Sequence, residues 1–154
     1  MRDFEITVDI DAPPERVWNV MIDVERWHEW TRSITSIQKL QPGPLVVGSR
    51  AHVRQPKLRP GVWTVTQLVQ GRSFAWQLRN PGVRVIGDHA VEARDGGSRV
   101  TLSVRFEGAF GGLIGAILKN LNQQYLRLEA EGLKRRVEGE TGRRGTVPKG
   151  ISSV

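Results

Sequence analysis

The chain contains no cysteine. That absence excludes disulfide bonds, thiolate nucleophiles and cysteine-ligated zinc together. Long hydrophobic runs are missing too, because the longest apolar stretch, residues 108–118, is about half of a membrane span and ends before Lys119. The N-terminus, Met1-Arg2-Asp3-Phe4-Glu5, has no basic-then-apolar leader. We therefore expect a cytoplasmic protein with no membrane span.

Motifs for metals, phosphates and nucleophilic serine are also missing. The three histidines, His28, His52 and His89, have no metal-ligand spacing, and no Gly-x-Ser-x-Gly segment occurs. The glycines of residues 108–115 lack the Gly-Lys-Ser/Thr ending of a phosphate-binding loop. The sequence therefore predicts no bound metal and no cofactor.

The composition is that of a single globular domain, with 154 residues, of which 38% are hydrophobic and 25% charged. The formal net charge is +7. From Lys134 onward there are six Lys or Arg against two Glu, so the end of the chain accounts for +4 and the first 133 residues for +3. We therefore expect a folded body over residues 1–138, a flexible basic tail over 139–154, and no specific nucleic-acid partner.

The chain opens with a strand and two short helices. Residues 3–11 alternate polar and apolar, which predicts an edge or near-edge strand with one buried face. Asp11-Ala12-Pro13-Pro14-Glu15 then predicts a helix start, with Asp11 or Ala12 as the N-cap. Residues 23–30 predict a second short helix capped by Asp23.

An antiparallel meander and one long helix follow. Alternating patterns separated by Gly- and Pro-rich turns predict strands near residues 33–41, 47–55, 61–69, 73–80, 83–93 and 98–107. Apolar residues then recur at three- and four-residue steps, which predicts an amphipathic helix of about 25 residues that covers the sheet. The inner face of this helix would carry Leu113, Ile114, Ile117, Leu118, Leu121, Tyr125, Leu128, Gly132 and Leu133.

Four segments carry a resemblance to a known family: residues 10–18 (Ile-Asp-Ala-Pro-Pro-Glu-Arg-Val-Trp), 23–30 (Asp-Val-Glu-Arg-Trp-His-Glu-Trp), 62–66 (Val-Trp-Thr-Val-Thr) and 96–102 (Gly-Gly-Ser-Arg-Val-Thr-Leu). The chain resembles the polyketide cyclase/dehydrase-like branch of the START and Bet v 1-like superfamily over about residues 3–137. The resemblance implies an α+β helix-grip fold, in which a curved seven-stranded antiparallel sheet wraps around a long C-terminal helix. It also implies a cavity for hydrophobic or aromatic small molecules.

Strand parity selects the residues that would reach such a cavity. Val85, Gly87, His89 and Val91 share one face of their strand, so His89 lies beside a glycine that leaves room for a ligand, whereas Asp88 faces away. His89 is a candidate for proton transfer, although a packing role with one hydrogen-bonded neighbour fits the same pattern.

Other candidate lining residues are mostly aromatic. Trp63 and Trp76 lie on neighbouring strands and either line the cavity or fill it. Tyr125 either orients a substrate, as a second weak catalytic candidate, or makes a plain helix-to-sheet contact. Parity also directs Phe74 and Gln55 inward, and the helix adds Leu121 to the predicted ligand-binding set.

Three functional hypotheses remain open. The first is a monomer or homodimer that binds or carries a hydrophobic or aromatic small molecule. The second is a cyclase or dehydrase acting on a ligand in the same cavity. The third is a protein-interaction module, since the resemblance extends to proteins that bind partners and the basic tail is suited to an acidic one.

Overall fold

The computed structural model describes the backbone of residues 4–152 and the side chains of residues 4–140. The strands are β1 (Phe4–Ile10), β2 (Ser36–Lys39), β3 (Arg50–Arg54), β4 (Gly61–Val69), β5 (Ser73–Asn80), β6 (Val83–Arg94) and β7 (Gly97–Glu107). The helices are α1 (Pro14–Ile22), a 3-10 helix (Val24–Glu29), α2 (Gly111–Ile117) and α3 (Lys119–Ser152).

The seven strands form one antiparallel sheet in the order β1-β7-β6-β5-β4-β3-β2. From β2 to β7, each strand pairs with the next one along the chain. β1 pairs with β7, with Phe4 opposite Val104 and Ile10 opposite Ser98. β1 is therefore an edge strand, and its apolar residues alternate with exposed ones as the sequence predicts. The predicted α+β helix-grip architecture is confirmed.

The start of α1 differs from the prediction. The residue before the helix is Pro13, in an extended conformation, and no side chain caps the first turn. Pro14 at the first helical position has no N–H to satisfy, and the Arg16 N–H donates to the Pro13 carbonyl oxygen at 3.1 Å rather than to a side chain. Asp23 likewise precedes the 3-10 helix without a side-chain hydrogen bond to it.

The predicted single covering helix is two helices that meet at Leu118. α2 rests on the sheet through Gly111 and Gly115, where an added Cβ would approach Phe106 to 3.0 and 3.2 Å. Because its glycine face contacts the sheet, Leu113 and Ile117 on the other side are turned outward. The prediction that both face the sheet is wrong.

The last helix extends beyond the predicted end of the folded body. α3 continues through residue 138 to Ser152. The side chains of residues 141–154, which include most of the predicted flexible tail, lie outside the described residues, so the boundary at 138 stays a prediction.

Candidate functional site

A cavity of about 220 Å³ lies between the concave face of the sheet and the two C-terminal helices. β3 to β7 supply one wall, and α2 and α3 supply the other through Ile114, Leu118, Asn122, Tyr125, Leu126 and Glu129. Arg59 and Asn80 are its exposed lining residues, so the cavity reaches solvent at the end formed by the β3–β4 loop and the β5–β6 turn. Trp27 and His89 lie in the buried part.

Three indoles form an aromatic wall in this cavity. The ring centroids of Trp63 and Trp76 are 5.7 Å apart, and those of Trp27 and Trp76 are 5.6 Å apart. The Trp27 Nε1 donates to the Met21 carbonyl at 2.9 Å, which anchors the 3-10 helix over the sheet. Tilted contacts of this kind hold the rings in fixed orientations, so the wall is a rigid apolar surface.

His89 is held on both sides. Its ring stacks on Phe74 with centroids 4.3 Å apart and planes 8° from parallel. Nδ1 lies 3.4 Å from the Phe74 carbonyl oxygen, and Nε2 lies 3.4 Å from Oε1 of Glu129 on α3. The two side chains are 7% and 13% exposed, so this contact joins sheet and helix inside the cavity.

The contacts of His89 bring donor and acceptor groups together at the cavity. A carbonyl oxygen only accepts, so the Nδ1 contact with Phe74 places a proton on Nδ1. Nε2 faces the Glu129 carboxyl group at 3.4 Å, so an imidazole and a carboxyl group lie side by side on the cavity wall. Both are side chains of the kind that exchange protons with a ligand beside them.

The other predicted polar residues are partly committed to backbone groups. The Tyr125 hydroxyl donates to the Pro56 carbonyl oxygen, and burial raises the pKa of this phenol. The Gln55 Nε2 donates to the Ser33 carbonyl at 3.3 Å. The first contact joins α3 to the loop after β3, and the second joins that loop to the segment before β2. His89 and Glu129 are a pair of titratable side chains in contact across the cavity.

The structure brings together five of the seven residues predicted for the site: Trp63, Trp76, His89, Tyr125 and Gln55 all line the cavity. Phe74 lies behind His89, 1% exposed, and is part of the core. Leu121 is outside the lining, because α3 presents Asn122, Tyr125 and Glu129 to the cavity instead.

Sequence reasoning missed Glu129. The signal was its position four residues after Tyr125, which places both side chains on one face of a helix. An acidic residue at a core-facing position is unusual without a partner, and the partner is the histidine that parity had already selected.

Other hollows on the described surface are less suited to an apolar ligand. A groove of about 350 Å³ beside α1 and α3 is lined largely by polar and charged residues such as Arg16, Asp23, Arg26 and Arg136. Over residues 4–140, no cluster of His, Asp and Glu has the arrangement of a metal site. In the described part of the chain, no helix has the length and apolar character needed to cross a bilayer.

The fold and this cavity define a START and Bet v 1-like helix-grip protein. Solved structures agree: a Thermus thermophilus protein matches with a TM-score of 0.70 and 20% identity, over 88% of this chain and 97% of that one. A START superfamily protein from Mycobacterium smegmatis matches with a TM-score of 0.67 and 18% identity, over 88% and 97%. Ara h 8.0201 matches with a TM-score of 0.67 and 16% identity, over the same shares.

The family follows from the sequence comparison. A model described as polyketide cyclase / dehydrase and lipid transport matches residues 1–138, and the chain belongs to that family. Uncharacterised proteins of Mycobacterium tuberculosis and Mycobacterium bovis are 28% identical over 105 residues, which is 64% of this chain. The match spans 61% of the length of those relatives.

Proposed function

We propose that the protein binds a small, flat, hydrophobic molecule in the cavity between the sheet and α3. The observation that carries this proposal is the aromatic wall of Trp27, Trp63 and Trp76 facing an apolar space that also contains the His89–Glu129 pair. Ligand pockets have this composition, with many apolar groups and few polar ones placed to orient the ligand.

The size of the cavity narrows the ligand class. Its volume of about 220 Å³ is below the range of roughly 300–1,000 Å³ that is usual for drug-sized ligands. A one- or two-ring aromatic molecule fits this space better than a long acyl chain. A hydroxyl on such a ring would meet His89 and Glu129, which together offer both a donor and an acceptor.

The direct test is to narrow the cavity without touching its polar groups. Gly87 faces the cavity, and an added Cβ would lie 3.3 Å from the Trp76 ring. We expect Gly87→Val to weaken the binding of 2-naphthol at least about tenfold, because the valine methyl groups occupy the space that the ring needs. Isothermal titration calorimetry measures the affinity.

The matched control is Ala90→Val, which adds side-chain volume on the same strand but on its other face. This variant should bind 2-naphthol like the wild type, and circular dichroism checks that both variants remain folded. Equal affinity in all three proteins, or no binding of 2-naphthol to any of them, would contradict the proposal.

A second candidate function, a cyclase or dehydrase-type enzyme, is supported by the His89–Glu129 pair. In such a reaction the pair removes a proton from carbon next to a ketone, and the C–H electron pair forms a bond to a second carbonyl carbon. The oxygen of that carbonyl takes up the proton. A base buried in an apolar site is suited to this step, because water does not compete for the proton.

A substrate-independent assay tests the pair as a base. In 5-nitrobenzisoxazole, removal of the ring C–H proton forms a nitrile and breaks the N–O bond, which releases a coloured phenolate. We expect the wild type to accelerate this elimination and Glu129→Gln or His89→Ala to lose at least about tenfold of the rate. Glu131→Gln, on the exposed side of α3, is the control and should react like the wild type. Equal rates in all four proteins would remove the pair from catalysis.

A further inference from the structure

The outer face of α2 is an apolar surface beside the open end of the cavity. Phe110, Leu113 and Ile117 are 57%, 60% and 68% exposed, and their three- and four-residue spacing places them on one side. Residues 108–118 contain no polar or charged side chain. Contiguous exposed apolar groups of this kind mark interaction sites in folded proteins.

The position of α2 ties this surface to the cavity. Ile114 on its inner side and Leu118 directly after it line the cavity. Phe110 lies on the β5–β6 turn, where its ring sits against Gly82 and its N–H donates to the Gly82 carbonyl at 2.8 Å. The apolar surface and the opening at Arg59 and Asn80 are therefore at the same end of the molecule.

Lys and Arg residues lie in the segments next to the cavity opening and α2. Although the first 133 residues carry only +3, residues 30–87 contain nine Lys or Arg and no Asp or Glu. Lys57 and Arg59 lie in the β3–β4 loop, Arg79 precedes the β5–β6 turn, and Lys119 follows α2. All four are exposed, and no ion pair is formed by any of them among residues 4–140. The nearby Glu107 pairs with Arg84 and Arg105.

We infer that α2 and the surrounding cations dock this protein on an anionic lipid bilayer, with the cavity opening toward the membrane. Apolar side chains on a helix surface enter the boundary of the acyl chains, while flanking Lys and Arg meet the anionic headgroups. A second copy of this chain fits the surface less well, because self-association would bring the same unpaired cations against each other. A nucleic acid would leave the three apolar side chains in water.

Vesicle flotation with the full chain tests this inference. We expect the wild type to bind vesicles of phosphatidylcholine with phosphatidylglycerol, to bind pure phosphatidylcholine at least about tenfold more weakly, and to lose affinity as salt rises. The double variant Leu113→Ser with Ile117→Ser should lose at least about tenfold in affinity for the anionic vesicles, because it removes apolar groups while every charge remains.

The matched control is Val46→Ser with Val47→Ser, since these valines are 53% and 60% exposed on the loop between β2 and β3. This variant should bind like the wild type. Both variants keep the basic residues near the end of the chain, so binding through those residues alone would leave all three proteins equal.

Four results would overturn the inference: no binding of the wild type to anionic vesicles, equal binding by the α2 variant, a wild-type dimer that the α2 variant converts to monomer, or tighter binding of duplex DNA than of vesicles. The 2-naphthol titration is independent of these results, because α2 is altered only on its outer side. Loss of docking with intact 2-naphthol binding would leave the proposed function standing.

Discussion

Tyr125 is the only tyrosine in the chain, and it connects α3 to the loop after β3 at the side of the cavity. Its hydroxyl donates to the Pro56 carbonyl oxygen in a partly desolvated position, and burial disfavours the charged phenolate. Burial therefore raises the pKa of this phenol above its ordinary value of 10.0. The side chain serves as a neutral tie between helix and loop.

Because Tyr125 is the one tyrosine, the tyrosinate absorbance of the protein reports the ionisation of this side chain alone. A phenol whose pKa is higher in the folded than in the unfolded state holds its proton longer in the folded state. Its contribution to stability is fully present below pH 10.0 and is lost as the pH rises through the raised pKa of the folded state. We expect the tyrosinate absorbance of the native protein to appear with a midpoint above that of the same protein in denaturant. Coincident midpoints would contradict the burial of Tyr125.

At the residue scale, the strand residues of the site were easier to predict than the helix residues, although Tyr125 of α3 was predicted and Phe74 of β5 lies in the core. Strict alternation fixes which strand residues share a face, so parity put His89 on the same face as Gly87, while Trp63 and Trp76 were predicted either to line or to fill the cavity from their position on neighbouring strands. The rotation of α3 depends on how the helix packs, and the apolar pattern of its sequence tolerated a phase in which Leu121 faced the cavity. Glu129 was missed for the same reason.

At the scale of elements, α3 approaches the 3-10 helix closely at one point. Gly132 lies against the backbone of Trp30, where an added Cβ would come within 2.0 Å of the carbonyl oxygen. A glycine in a helix is unfavourable by itself, so its presence here reflects the close contact. This contact fixes the position of α3 relative to the 3-10 helix.

Gly132→Ala should therefore lower the free energy of unfolding by about 1–3 kcal/mol, because the methyl group forces the helix away from Trp30. Gly139→Ala is the control in the same helix, since a Cβ there meets nothing within 4 Å. It should raise stability by about 0.5–1 kcal/mol through helix propensity. Urea denaturation measures both, and equal effects of the two substitutions would contradict the close contact.

Helix boundaries were harder to predict than strands at this scale. The apolar spacing runs from Leu113 to Leu133 without interruption, so the pattern indicated one helix. The break at Leu118 is absent from this pattern, and the contact of α2 with Phe106 through Gly111 and Gly115 depends on tertiary packing. That contact also turns Leu113 and Ile117 outward, which no periodicity argument anticipates.

At the scale of the whole molecule, the order of elements and the seven-stranded sheet were predictable because local patterns and the family resemblance agreed. The distribution of charge was visible in the sequence, but its meaning depended on the fold. The net charge of residues 1–133 is small, yet the segment from β2 to β5 is purely cationic in sequence. Only the fold brings Arg59 of that segment to the cavity opening beside Asn80, with Lys57 in the same loop, Arg79 next to Asn80 and Lys119 two residues after α2.

The central claim is that the space between the sheet and α3 receives a ligand. Indole N–H resonances in a ¹H–¹⁵N spectrum test it most directly, because the chain has five tryptophans in different positions. During titration with 2-naphthol, the signals of Trp63 and Trp76 should shift together, while that of Trp18, which lies on α1 outside the cavity lining, should not. Unchanged Trp63 and Trp76 signals at saturating 2-naphthol, or a shift confined to Trp18, would contradict the claim.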